Sequence, residues 1–179
     1  FAQAFVMGAM FAYISGSPFV LQNIYGASPQ QFSFLFGLNG IGIILAAQIA
    51  GRLAGRVDSE RLMRISLTIV ASASILLFLA LTLTNQLIFV MIPLFFVVSS
   101  VGLISTLGFT LAMQNYGATA GSASALLGLL PMLVGSLVSP LVGIMGEQSA
   151  VPMGIIIMTL DCLALILYYG LIVRRPNRS

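Results

Sequence analysis

Between Ile65 and Gly146 the chain carries no charged side chain, and that run limits what it can fold into more than any other feature. Residues 1–51 also carry none, and residues 148–173 carry only Asp161. A water-facing surface needs charge: soluble domains are about 25% charged. Here 6% of residues are charged and 59% apolar, with a mean hydropathy of +1.11. A membrane-crossing helix takes roughly 20 apolar residues, so the longest run holds about three spans, the first run two and the last one. The expectation is an all-α polytopic membrane protein with six transmembrane helices, forming a single transmembrane domain over residues 1–179.

The same inventory removes several chemistries. There is no His and no Trp, and Cys162 is the single cysteine. Disulfides, Cys/His zinc sites and His-dependent nucleophilic catalysis lack their residues. An intramembrane aspartyl protease needs two carboxylates, and only Asp161 falls inside a span. Neither an enzyme nor a metal site is expected. The net charge of +3 comes from seven arginines in two short clusters beside apolar runs, which reads as membrane topology and not as a nucleic-acid face. Phe1 opens inside an apolar stretch without a basic leader, so the chain is expected to be a piece of something longer.

Local punctuation places the spans at about 1–23, 32–51, 62–83, 87–113, 120–145 and 152–173. Ser28-Pro29-Gln30-Gln31 reads as an N-cap, a first-turn proline and the Gln of a capping box. Arg52, Arg56, Arg61 and Arg64 fall in a loop between spans two and three, and Arg174, Arg175 and Arg178 in the tail. Six alternating spans put both clusters on one side, and the positive-inside rule makes it the cytoplasm. Both ends of the segment are therefore expected there. Tyr25, Tyr116, Tyr168 and Tyr169 fall near span ends, at interface depth.

Within lipid any apolar side chain can face outward, so small and polar residues carry the information. In span five, Gly121, Ala125, Gly128, Met132, Gly135, Ser139 and Gly143 lie on one helical face, with Pro131 and Pro140 permitting kinks. That face reads as a close helix contact or as a gating surface. Ala47-Gly51-Gly55 form a similar stripe in span two, near Asn39. Tyr13 and Ser17 in span one, and Ser99 and Thr106 in span four, add polar groups, although such hydroxyls often bond back to their own helix. Spans one, two, four and five are expected to face a cavity, with span three peripheral. Asp161 lies near the middle of span six, where a carboxylate is costly, and no cation at membrane depth is there to pair with it. It is a possible proton site.

At this point the residues resemble a known family. Six spans with an arginine-rich second loop resemble the C-terminal half of a major facilitator superfamily transporter. Phe11-Ala-Tyr-Ile-Ser-Gly-Ser-Pro-Phe-Val-Leu-Gln22, continuing through Tyr25-Gly-Ala-Ser-Pro-Gln-Gln-Phe32, is similar to the seventh span and following loop of bicyclomycin-resistance-type (Bcr/CflA) drug exporters. Gly121-Ser-Ala-Ser-Ala-Leu-Leu-Gly128 resembles the start of their eleventh span. Gly51-Arg-Leu-Ala-Gly-Arg56 resembles the superfamily motif G-x-L-x-D-R, with Gly55 in place of the acid and Asp58 where Gly is usual.

The resemblance implies one half of a major facilitator fold, built as a 3+3 inverted repeat. It implies multidrug efflux from the bacterial cytoplasm by a multi-pass antiporter, driven by the proton gradient with no cofactor. The partners would be a small hydrophobic drug-like substrate, the lipid bilayer and an N-terminal six-span half. Tyr13, Ser17, Asn39, Ser99, Thr106 and Met132 would contact substrate; Gly51, Gly55, Arg56, Gly121, Gly128, Pro131 and Gly135 would serve gating or helix packing. Spans three and six are scaffold in this superfamily, which disfavours Asp161 as the proton site. Alternatives are export of a metabolite (a sugar, nucleoside or amino-acid derivative) and a six-span assembly module without transport of its own.

Overall fold

The computed structural model describes residues 1–115, 120–144 and 149–173. Tyr116, Gly146, Glu147 and the arginines of the tail lie outside the described residues. Six helices follow in order: α1 (Ala2–Pro18, continued by a π-helical turn, Phe19–Ile24), α2 (Pro29–Leu53), α3 (Ser59–Leu83), α4 (Leu87–Asn115), α5 (Ala120–Ile144) and α6 (Val151–Val173). Each is long and apolar enough to cross a membrane.

The helix starts follow local chemistry. Ser28 accepts from the Gln31 N–H at 3.2 Å while Gln31 Oε1 accepts from the Ser28 N–H at 2.8 Å, which completes the capping box. Asp58 accepts from the Arg61 N–H at 2.9 Å, so the residue that departs from the superfamily loop motif is the N-cap of α3. Between α1 and α2, Gly26 takes φ +71°, a left-handed conformation that suits glycine. Pro18 has no N–H to bond back into α1, and the chain passes directly into the π turn.

The helix starts of α2 and α3 differ most from the sequence expectation. α2 and α3 begin three residues early, at Pro29 and Ser59, because the caps extend each helix beyond the apolar core. Arg61 and Arg64 consequently sit on the first turns of α3, and not in a loop.

The packing order is α2–α4–α3–α6–α1–α5, with α1 and α4 also meeting across the middle. Exchanging α1 with α4, α2 with α5 and α3 with α6 leaves that set of neighbours unchanged. Successive spans alternate in direction, so helices three apart run oppositely, and the symmetry is that of an inverted repeat. Repeat identity is nearly invisible in the residues but plain in which helix touches which. α3 and α6 pair at the back, while α2 and α5 end the series and are largely exposed.

The sides of the bundle are tied by tyrosines. Tyr25 donates to the Thr84 carbonyl at 3.1 Å, joining the α1–α2 and α3–α4 loops; burial pushes its phenol up, so it keeps the proton it donates. At the opposite end Tyr168 donates to the Glu60 carbonyl at 3.4 Å, beside the arginines of α3.

Candidate functional site

Tyr13 lies at the middle of α1 and Asn39 near the middle of α2. Asn39 Nδ2 donates to the Tyr13 hydroxyl at 3.0 Å, and both side chains are 1% exposed. Phe36, one turn before Asn39, stacks on the Tyr13 ring at 5.7 Å and 13° between planes. Phe32, a turn earlier still, leans on Phe36 at 5.7 Å. Ser17, one turn after Tyr13, is fully buried. The backbones of α1 and α2 are not close packed, since α2 lies on α4. The gap between them is bridged by this group of side chains.

The polar group is incompletely satisfied. Asn39 Oδ1 and Ser99 Oγ are buried without a hydrogen-bond partner, and Ser17 Oγ lies buried beside the Tyr13 hydroxyl. A buried polar atom left so costs about 1–3 kcal/mol. Ser99 reaches α2 where a Cβ on Gly42 would meet its Oγ. Thr106 and Thr110 are quieter: each donates to the carbonyl four residues back at 2.9 Å.

The six candidate contacts thus separate. Tyr13, Ser17 and Asn39 come together, buried where an open cavity wall was expected, because the Phe36 ring lies against Tyr13 and their polar atoms draw inward. Ser99 faces α2 a turn from Asn39. Thr106 stands toward the other end of α4, and Met132, on α5, is 69% exposed. Phe36 had no sequence signal, since an aromatic on a membrane helix reads the same against lipid as against tyrosine. Gln3 was also missed: its side chain lies where a Cβ on Gly108 would go, at the crossing of α1 and α4, and its Oε1 is unpartnered. A glutamine among apolar residues in the first turn was the available signal. Nearby, Ser105 Oγ lies 3.7 Å from Met7 Sδ.

The small-residue stripe of span five makes one close contact within this bundle. A Cβ added at Gly121, Gly128 or Gly143 meets nothing within 4 Å, and the same holds at Gly51 of α2 and at Gly55 in the turn after it. Only Gly135 is in close contact, with the Phe11 ring. The buried side of α5 contains Pro131, Gly135 and Val138, so Gly135 marks the edge shared by both faces. On α2 the buried face is Asn39, Gly42, Ala46 and Ala50, one residue out of phase with the expected Ala47-Gly51-Gly55. The close approach of that pair is made from α4: a Cβ on Gly102 would strike the Ile43 carbonyl oxygen. Arg56 lies exposed in the turn after α2.

Asp161 is wholly buried, with neither carboxyl oxygen hydrogen-bonded. Ser74 faces it from α3 and donates its own proton to the Ala71 carbonyl at 2.9 Å. The acid belongs to the α3–α6 seam, behind the α1–α2 cluster.

The chain matches the Major Facilitator Superfamily over residues 1–140. It belongs to that family. It is 45% identical over 175 residues to an uncharacterized MFS-type transporter, YdgK, of Bacillus subtilis strain 168, covering 98% of this chain and 43% of that protein. It is 29% identical over 153 residues to a bicyclomycin resistance protein homolog of Haemophilus influenzae, covering 86% of this chain and 38% of the relative. The chain therefore spans less than half the length of these relatives. No solved structure matches it. Family membership and the six membrane-length helices make it a multi-pass membrane segment of a major facilitator transporter.

Proposed function

We propose that this segment is the C-terminal half of a proton-coupled exporter of small hydrophobic compounds across the bacterial cytoplasmic membrane. The observation that carries the reading is the Tyr13–Asn39–Phe36 group midway along α1 and α2, with Asn39 Oδ1 and Ser99 Oγ buried and unpartnered in and beside it. Polar groups at that depth favour a function over packing alone. The name of the Haemophilus relative, a bicyclomycin resistance protein homolog, favours a drug as cargo.

In this reading Tyr13, Ser17, Asn39 and Ser99 form the polar floor of a substrate site, while Thr106 and Met132 extend it along α4 and α5. Met suits varied apolar ligands because it is flexible and polarizable. The open glycines Gly51, Gly121 and Gly128 lie on α2 and α5, with Gly55 in the turn after α2; these helices are the exposed ends of the series, where an N-terminal six-span half would pack and slide. Pro131, Gly135 and Arg56 sit at the edges of those faces. The energy source is the proton gradient, with the coupling acid in the companion half.

The test is export by the full-length transporter. Expressed in a bacterium lacking its main efflux pumps, it should raise the inhibitory concentration of a subset of drugs. In proteoliposomes, an imposed pH gradient should drive uptake of the same drugs. Asn39→Ala and Tyr13→Phe should each reduce that flux several-fold without loss of protein. Flux unaffected by the gradient would sink the coupling; flux only of polar metabolites would sink the substrate class.

A further inference from the structure

The Phe36 ring is 39% exposed, while the Tyr13 ring it lies on is 1% exposed. One face of Phe36 is therefore committed to Tyr13, and the rest of the ring is exposed except where Phe32 leans on it. Behind the pair, the Asn39 amide has one end on the Tyr13 hydroxyl and its other end buried and unpartnered, and Ser17 Oγ lies buried beside the same hydroxyl. Phe36 also has room to move. Gly37 and Gly40, on either side of Asn39 along α2, have nothing within 4 Å of a Cβ position. A half-exposed ring stacked on a buried tyrosine, whose hydroxyl holds an amide with one buried atom unpartnered, is placed to act as a lid.

We propose that Phe36 is a rotamer lid over an aromatic-recognition subsite, and that its ligand is a planar aromatic compound carrying an adjacent amide or hydroxyl. Turning Phe36 about its Cα–Cβ bond uncovers the Tyr13 ring for stacking, and opens the Asn39 amide and the Ser17 hydroxyl to the polar group of the ligand. An amide or hydroxyl both gives and accepts hydrogen bonds, so it matches the free end of Asn39 whichever atom stands there. The ligand ring takes the place of Phe36 against Tyr13, so the closed-state stack is replaced by a similar one. The hydrogen bond is the net gain, because it satisfies an atom that the closed state leaves alone. Selectivity follows: an aromatic body without the polar group, or a polar group on a puckered body, obtains only half of this. The inference rests on the transport reading above and names the substrate class of that same site.

The experiment uses the purified full-length transporter with three probes of matched size: 2-naphthamide, its ring-saturated decahydro counterpart, and naphthalene. Wild type should bind 2-naphthamide about 2- to 10-fold tighter than the saturated amide, the range expected for one aromatic stack. Tyr13→Leu should abolish that preference, whereas Phe36→Leu, which removes only the lid, should retain it and weaken discrimination against naphthalene less than Asn39→Ala does. The lid itself is read by thiol chemistry. In a Cys162→Ala background, Asn39→Cys should react slowly with a small thiol reagent. It should react at least about 10-fold faster when Phe36→Ala is added. Thermal melting of each variant separates loss of binding from loss of fold, and Phe36→Trp, which keeps a large ring, should restore slow labelling. Equal affinity for the flat and saturated amides, a folded wild type that binds none of the probes, or labelling indifferent to Phe36, would each overturn the inference. Drug export by a wild type that shows no aromatic preference would leave transport standing and the lid refuted. Preference and gated labelling without vectorial export would do the reverse.

Discussion

At the scale of single residues, Asp161 is the test of where protons are handled. A coupling acid must meet water from each side of the membrane in turn, and Asp161 is fully buried in the α3–α6 seam, with Ser74 facing it. Asp161→Asn is therefore expected to retain at least about half of the pH-gradient-driven flux in proteoliposomes of the full-length transporter. The amide removes the cost of holding a carboxyl in a dry seam, so insertion should not suffer. Retention of downhill exchange with loss of all gradient-driven flux would place coupling in this half. Residues like Asp161, Asn39 and Tyr13 were legible in the sequence because a polar atom in an apolar span is conspicuous. Phe36 was not, since its role depends on which ring it touches, and ring contacts across helices leave no local pattern.

Helices record their ends better than their faces. The capping box at Ser28 and the proline at the first turn of α2 could be read directly, because the signal and the structure occupy the same four residues. The phase of α5 could not. Small residues suggested one packing face, but Val138, Pro131 and Gly135 bury another, and Leu or Val packs as well on a helix as on lipid. The structure now separates glycines that matter from those that do not within this bundle. Gly102→Ala drives a methyl at the Ile43 carbonyl, an overpacking change of about 1–3 kcal/mol. Gly8→Ala and Gly135→Ala press on single side chains, Val134 and Phe11, which can yield. Gly102→Ala should therefore lower the melting temperature of the detergent-purified transporter more than either, by several degrees. A Gly102→Ala protein that melts with wild type would show that α2 and α4 are not as close as described.

For the whole molecule, the issue is which way the six helices point. The main packing order is symmetric under exchange of α1–α3 with α4–α6, so it does not distinguish the two sides; charge does. Arg52, Arg56, Arg61 and Arg64 cluster where α2 turns into α3, at the same end as the Tyr168–Glu60 bond. The Tyr25–Thr84 bond gathers two uncharged loops at the other end. If the arginines hold their end in the cytoplasm, residues in the α1–α2 and α3–α4 loops must meet the outside together, since one hydrogen bond joins them. Gln30→Cys and Asn85→Cys, both at exposed positions, should then react with a membrane-impermeant maleimide added to intact cells, in a Cys162→Ala background. Val57→Cys, exposed in the arginine turn, should react only after the cells are opened. Labelling of Val57→Cys from outside would invert the bundle. Labelling of Gln30→Cys without Asn85→Cys would break the alternation itself, and with it the inverted repeat on which the reading of α2 and α5 as the mobile, partner-facing ends depends.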